Sequence, residues 1–160
     1  MQNAKNVIIK VSWADIEFVV KVIDKSCNIK SFDYILAITR GGWIPSVILS
    51  NKHGIEVLPF QIRLTANDEP NADKNKLEIG QNIDFSILKN KKVLVVDDIF
   101  GSGITLSHVK NVLSKFTPTI VSTVVCYMNT NNYKKEYDLP DFIGKKVQGW
   151  IMFPWESKGR

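Results

Sequence analysis

The sequence predicts an α/β fold, a mainly parallel twisted sheet flanked by helices, and three observations carry that reading. Short apolar runs rich in Val, Ile and Leu recur at residues 7–11, 34–38, 55–64, 92–96 and 120–127. Several of the stretches between them carry apolar residues at helical spacing, and strands that alternate with helices build a mainly parallel sheet covered on both faces. Finally, 160 residues, 44% apolar and 23% charged, supply one compact core within the usual single-domain range. Residues 1–160 are therefore expected to form one domain. The chain holds no internal repeat and no low-complexity tract.

Residues 7–11 read as a short strand. Ser12 then caps a helix with Asp15 at its third position, and Trp13, Ile16, Val19 or Val20, and Ile23 recur at helical spacing up to about Cys27. The run at 34–38 ends in Thr39-Arg40-Gly41-Gly42, and Pro45 stands early in a second helix that Gly54 closes. Residues 55–64 form the next strand. From 65 to 86 the chain has almost no periodicity and carries Asn-Asp-Glu-Pro-Asn-Ala-Asp-Lys-Asn-Lys. So long a loop in a compact domain is more often a functional lid than a passive connector, and a mobile active-site loop is expected there. The strand at 92–96 leads through a glycine loop into a helix bearing Leu106, Val109, Val112, Leu113 and Phe116, and residues 120–127 form a further strand. Residues 147–156 are apolar and aromatic without helical spacing.

Composition narrows the function. No stretch approaches the roughly 18 apolar residues of a membrane span and the start of the chain shows no cleavage-type signal, so a soluble, cytoplasmic protein without membrane partners is expected. Cys27 and Cys126 are far apart, without CxxC spacing, and the histidines are His53 and His108 alone. Structural thiols are the better reading of both cysteines. The net charge of +5 and pI near 9.2 fit a polyanionic small substrate, because the lysines are scattered and no Arg-rich run or aromatic stripe points to nucleic acid.

The densest chemical signal runs from Val93 to Thr105, Val-Leu-Val-Val-Asp-Asp-Ile-Phe-Gly-Ser-Gly-Ile-Thr. In open α/β sheets ligands bind outside the carboxyl ends of the strands, and Asp97-Asp98 falls where this strand gives way to its loop. Gly101-Ser102-Gly103-Ile104-Thr105 then opens a helix, so backbone N–H groups, two hydroxyls and the positive end of the helix dipole can converge on one phosphate. A third glycine for a dinucleotide fingerprint is missing, as is the Gly-Lys-Ser/Thr of a P-loop. An acidic pocket of the receiver-domain kind would normally belong to the first strand.

Four apolar residues, two acids, two variable residues and Gly-Ser-Gly-Ile-Thr resemble the signature of the type I phosphoribosyltransferases. That resemblance implies that Asp97 and Asp98 hold the ribose hydroxyls of phosphoribosyl diphosphate, and that Gly101, Ser102, Gly103, Ile104 and Thr105 hold its 5′-phosphate. Thr39-Arg40-Gly41-Gly42 is similar to the family's pyrophosphate loop, which implies a cis peptide between Thr39 and Arg40, with Arg40 and Gly41 on the departing diphosphate. Residues 149–156, Gly-Trp-Ile-Met-Phe-Pro-Trp-Glu, resemble the base-binding end of the xanthine-guanine and archaeal-type purine enzymes, implying that Trp150 stacks on the base and Ile151 hydrogen-bonds it. In the blander reading Trp150, Phe153 and Trp155 simply plug the core. The N- and C-terminal segments would form a small base-binding hood over the type I phosphoribosyltransferase-like sheet.

The resemblance further implies a cytoplasmic purine salvage transferase, Arg40, Asp97 and Asp98 as catalytic groups, Mg²⁺ carried mainly on phosphoribosyl diphosphate with Asp98 as the protein ligand, and a homodimer or homotetramer. Its ligands would be phosphoribosyl diphosphate, a nucleobase and the product nucleoside monophosphate. Two positions depart from the oxopurine pattern. Where those enzymes usually carry a proton-exchanging aspartate, this chain has Gly101. Where they carry a lysine that contacts the purine 6-oxygen, it has Tyr127, with Met128 and Asn129 as alternative placements. The alternative from another class is a nucleotide- or phosphoribosyl-diphosphate-binding regulatory protein with little catalytic activity, since a pocket does not fix an activity.

Overall fold

The computed structural model describes residues 7–64, 77–80 and 84–156. Among the described residues, eight strands and three α-helices follow one another as β1 (Ile8–Lys10), α1 (Trp13–Ser26), β2 (Tyr34–Thr39), α2 (Trp43–His53), β3 (Glu56–Leu64), β4 (Leu77–Gly80), β5 (Lys92–Phe100), α3 (Ile104–Ser114), β6 (Ile120–Asn129), β7 (Phe142–Val147) and β8 (Trp150–Met152). Six strands form one sheet in the order β4-β3-β2-β5-β6-β7, parallel throughout except for the antiparallel pairing of β4 with β3. The helices cover both faces, as the alternation of patterns predicts.

Each helix ends where its residues direct. Ser12 accepts the Asp15 N–H and Asp15 accepts the Ser12 N–H, a reciprocal cap that satisfies two otherwise orphaned donors of α1. Gly54 closes α2 in the left-handed conformation at φ 68°. One apolar layer, holding Ile16, Val19, Val20 and Ile23 of α1 and Leu49 of α2, packs on the Leu94, Val96, Val124 and Cys126 face of the sheet. The other joins Leu106, Val109 and Leu113 of α3 with Phe60, Phe85, Val93 and Val95. Because β2 and β5 carry side chains into both layers, their runs are continuously apolar. Both cysteines are buried and unpaired, and burial pushes the Cys27 thiol up to about 11 and the Cys126 thiol further still.

Three expectations change. The loop expected over 65–86 falls largely outside the described residues, but 77–80 form β4 on the edge of the sheet, and an Asp84-capped 3-10 turn follows at Phe85–Leu88. β5 runs on through the acid pair to Phe100, so Asp97 and Asp98 lie within the strand, near its carboxyl end, rather than after it. The C-terminal segment adds β7 to the sheet edge and β8, which pairs in parallel with β1 as a separate two-stranded sheet. That last pairing joins the two ends of the chain as the hood reading requires. No described helix is long and apolar enough to cross a membrane.

Candidate active site

β2 and β5 are neighbours at the centre of the sheet, and the chain leaves both at their carboxyl ends. Two loops therefore meet. The β2–α2 loop carries a cis peptide between Thr39 and Arg40, the bond implied by the pyrophosphate-loop resemblance, and Arg40 is exposed. The next two residues must be glycines. A Cβ on Gly41 would overlap the Asp98 carboxylate, and one on Gly42 would press on the carbonyls of Val96 and Ile38. The loop thus lies flat on the end of β5, with Gly41, the residue after Arg40, against Asp98.

Asp97 and Asp98 are half-buried, and the Asp98 N–H donates to the Asp97 carboxylate at 2.9 Å. Burial first, and then the neighbouring Asp98 charge, hold the Asp97 carboxyl well above the usual carboxylate range. Burial likewise raises Asp98, against the lowering effect of its hydrogen bond with Asp97, and the nearby Glu156 adds to the rise. Two acids kept together under these conditions make a strong site for hydroxyl donors or a cation.

Beyond β5 the chain turns through Gly101 and Ser102 into Gly103, the N-cap of α3, at φ 99°. Gly103 has no side chain to cap α3, and the Ile104 N–H donates only a long 3.4 Å bond to the Ser102 hydroxyl, so the N–H groups that open the helix are available to a ligand at the loop that Ser102 and Thr105 flank. The structure thus gathers Arg40, Gly41, Asp97, Asp98, Gly101, Ser102, Gly103, Ile104 and Thr105 at the carboxyl ends of β2 and β5. A Cβ at Gly101 would meet nothing within 4 Å.

The hood supplies an aromatic surface. Trp150 is 65% exposed while its neighbour Ile151 turns its side chain into the core. In the parallel pairing of β8 with β1, Trp150 and Met152 direct their backbone groups at β1, which leaves the N–H and C=O of Ile151 on the opposite edge. Phe153 and Trp155 are the residues that plug: their rings stack at 4.6 Å, with Trp13 against Trp155 and Tyr127 edge-on to Phe153. The core reading is therefore right for these two and wrong for Trp150. Tyr127 is only 1% exposed, its hydroxyl pushed up to about 12 chiefly by burial, and Met128 and Asn129 are buried as well. None of the three presents an open polar group as a lysine there would.

A family model for the phosphoribosyl transferase domain matches residues 10–158. The chain belongs to that family. It is 28% identical over 133 residues to the xanthine-guanine phosphoribosyltransferase of Gluconobacter oxydans (strain 621H), spanning 79% of this chain and 70% of that one. The purine phosphoribosyltransferase of Pyrococcus horikoshii Ot3 superposes with a TM-score of 0.80 at 25% identity, covering 96% of this chain and 97% of the other. A hypothetical protein from Neisseria gonorrhoeae, solved with bound ppGpp, gives the same TM-score at 22% identity over 96% and 91% of the two chains.

In this phosphoribosyltransferase, among the described residues, no cluster of three or more His, Cys, Asp and Glu side chains could hold a metal ion. The acid pair nonetheless suits Mg²⁺, because its hard oxygens are charged at a cost that a cation relieves, and Mg²⁺ is commonly held by one or two carboxylates with the rest of its ligands from substrate and water. Sequence reasoning named Asn129 only as an alternative to Tyr127 and missed the tie it makes. Its buried side chain donates to the Gly149 carbonyl at 2.7 Å and so ties the end of β6 to the turn that presents Trp150. The signal was its position at the carboxyl end of a parallel strand.

Proposed function

We propose that this phosphoribosyltransferase acts on a nucleobase, a purine, and transfers the 5-phosphoribosyl group of phosphoribosyl diphosphate to it in a cytoplasmic salvage reaction. The juxtaposition that carries the reading is the acid pair of β5 between the Arg40 loop and the glycine-opened end of α3. The family and its purine relatives support it. Residues 101–105 receive the 5′-phosphate, Asp97 and Asp98 accept hydrogen bonds from the ribose hydroxyls, and Arg40 with the N–H of Gly41 faces the diphosphate. The bond from the anomeric carbon to diphosphate oxygen breaks as a base nitrogen forms its bond to the same carbon, and the nitrogen's proton is released. Mg²⁺, with Asp98 as its protein ligand, would neutralise diphosphate charge and orient the donor. Arg40 and the loop N–H groups stabilise the charge that develops on the leaving group, the kind of preorganised interaction that contributes most to catalysis. Trp150 stacks on the base and the Ile151 backbone reads its edge. The chain works as a homodimer or homotetramer, which light scattering would establish.

The test of the whole reading is diphosphate release with phosphoribosyl diphosphate and Mg²⁺ over a panel of bases. Trp150→Ala should weaken base binding by on the order of 1–3 kcal/mol, by analogy with other base stacks, and leave diphosphate binding nearly unchanged. Equal losses for both ligands would make Trp150 structural. The ppGpp held by the Neisseria protein makes a regulatory nucleotide the control ligand: tight binding of ppGpp with no turnover on any base would favour the binding-protein alternative.

A further inference from the structure

The connection from β6 to β7 has no part in the reaction described above, yet three contacts bind it to the Gly-Ser-Gly loop and the end of β5. The Lys134 N–H donates to the Ser102 carbonyl at 3.2 Å. Tyr137 fills the space that the missing side chain of Gly103 leaves, so closely that a Cβ there would lie 2.7 Å from the Tyr137 Cβ and 3.2 Å from Phe100 Cζ. The Tyr133 ring packs on Phe100 with centroids 5.8 Å apart. Its hydroxyl donates to the Tyr137 carbonyl at 2.9 Å, and the Tyr137 N–H to the Lys134 carbonyl at 3.1 Å, which ties residues 133–137 into a turn.

We infer that this turn is a clamp on the phosphate loop, with Tyr137 and Tyr133 as positioning residues for the donor. Gly103 is in the left-handed region and offers no capping side chain, and the Ser102 hydroxyl accepts the Ile104 N–H only at a long 3.4 Å, so the loop's N–H groups are held weakly from within. The clamp supplies that hold from outside. One ring closes on the glycine that begins α3, a second locks the last residue of β5, and a backbone bond fixes the peptide between them. Preorganised N–H groups bind phosphate without the cost of ordering the loop at each encounter.

The inference rests on residues 101–105 being the donor's phosphate site, and the experiment separates the two. Steady-state kinetics would compare Tyr137→Ala, Tyr137→Phe and Tyr133→Phe with Ser102→Ala and Thr105→Val. The clamp expects Tyr137→Ala to raise the donor KM about tenfold while the base KM stays within twofold, Tyr137→Phe to restore the donor KM because only the ring packs, and Tyr133→Phe to fall between. Tyr133→Phe removes one hydroxyl and keeps the ring, so it tests the clamp even where Tyr137→Ala folds poorly. Donor and base KM rising together, or a donor KM unmoved by both Tyr137→Ala and Tyr133→Phe in folded protein, would overturn it. Ser102→Ala and Thr105→Val leaving donor KM untouched would instead overturn the phosphate-site reading.

Discussion

Asp97 is half-buried beside a second carboxylate, and both circumstances make its charge costly. A carboxyl whose pKa is raised on folding destabilises the native state once it ionises, so removing the charge without changing the shape should help the fold. Asp97→Asn is accordingly expected to raise the melting temperature at neutral pH, by about 2–4 °C per kcal/mol relieved in a chain of this size, while donor affinity falls sharply. A variant less stable than wild type would show that the pair is held by favourable bonds. Gly101 presents the opposite case, a position with room and no chemistry. Its Cβ would meet nothing within 4 Å, so Gly101→Asp can be introduced without a clash. A general acid or base typically contributes about 10²–10⁴-fold to rate, and we expect slow turnover of guanine, hypoxanthine and xanthine by the native chain, raised at least modestly in Gly101→Asp with donor affinity little changed. Robust native activity on guanine would show that another group or water carries the proton.

Elements here are joined by a few polar ties as well as by apolar packing. Asp24 of α1 takes hydrogen bonds from Lys52 and His53 in the last turn of α2, both at 2.5 Å, and the Lys52 bond leads the effects that hold its carboxyl below the ordinary range. A depressed carboxyl contributes stability that is present above its unfolded pKa and disappears as pH falls through the folded one. Asp24→Asn should therefore cost about 1 kcal/mol at neutral pH, the Lys52 end being largely exposed, and the gap to wild type should narrow below about pH 4 in thermal melts. A gap constant with pH would assign the loss to packing. The elements legible in the sequence share a cause: α1, α2, α3 and the inner strands announce themselves locally, through caps, glycine stops and unbroken apolar runs. β7 and β8 do not. Phe142–Val147 carries two lysines on a sheet edge, and the three residues of β8 are a strand only because β1, some 140 positions earlier, lies beside them. The same limit divides the site. The acid pair and glycine loop were readable because they are contiguous, whereas the burial of Tyr127 and the tie from Asn129 to Gly149 depend on where β6 meets the hood.

For the molecule as a whole, binding and turnover leave different traces in stability. A ligand that binds only the folded chain stabilises it by about 2.7 kcal/mol at a hundredfold excess over Kd, which for a chain of this length is roughly 5–10 °C. Phosphoribosyl diphosphate with Mg²⁺ should give such a shift, and chelating the metal should remove much of it, since the acid pair would then face the ribose without the cation that relieves its repulsion. Adding a base divides the two readings of the fold. In a transferase the donor is consumed, diphosphate appears in solution, and the melting temperature drifts with time from the donor's value to the product nucleotide's. In a binding protein with the same pocket the shift stays where the donor set it and diphosphate does not accumulate. We expect the drift, at a rate that depends on which base is supplied, and an undiminished shift after prolonged incubation with every base of the panel would remove the transferase reading while leaving the site's geometry as described.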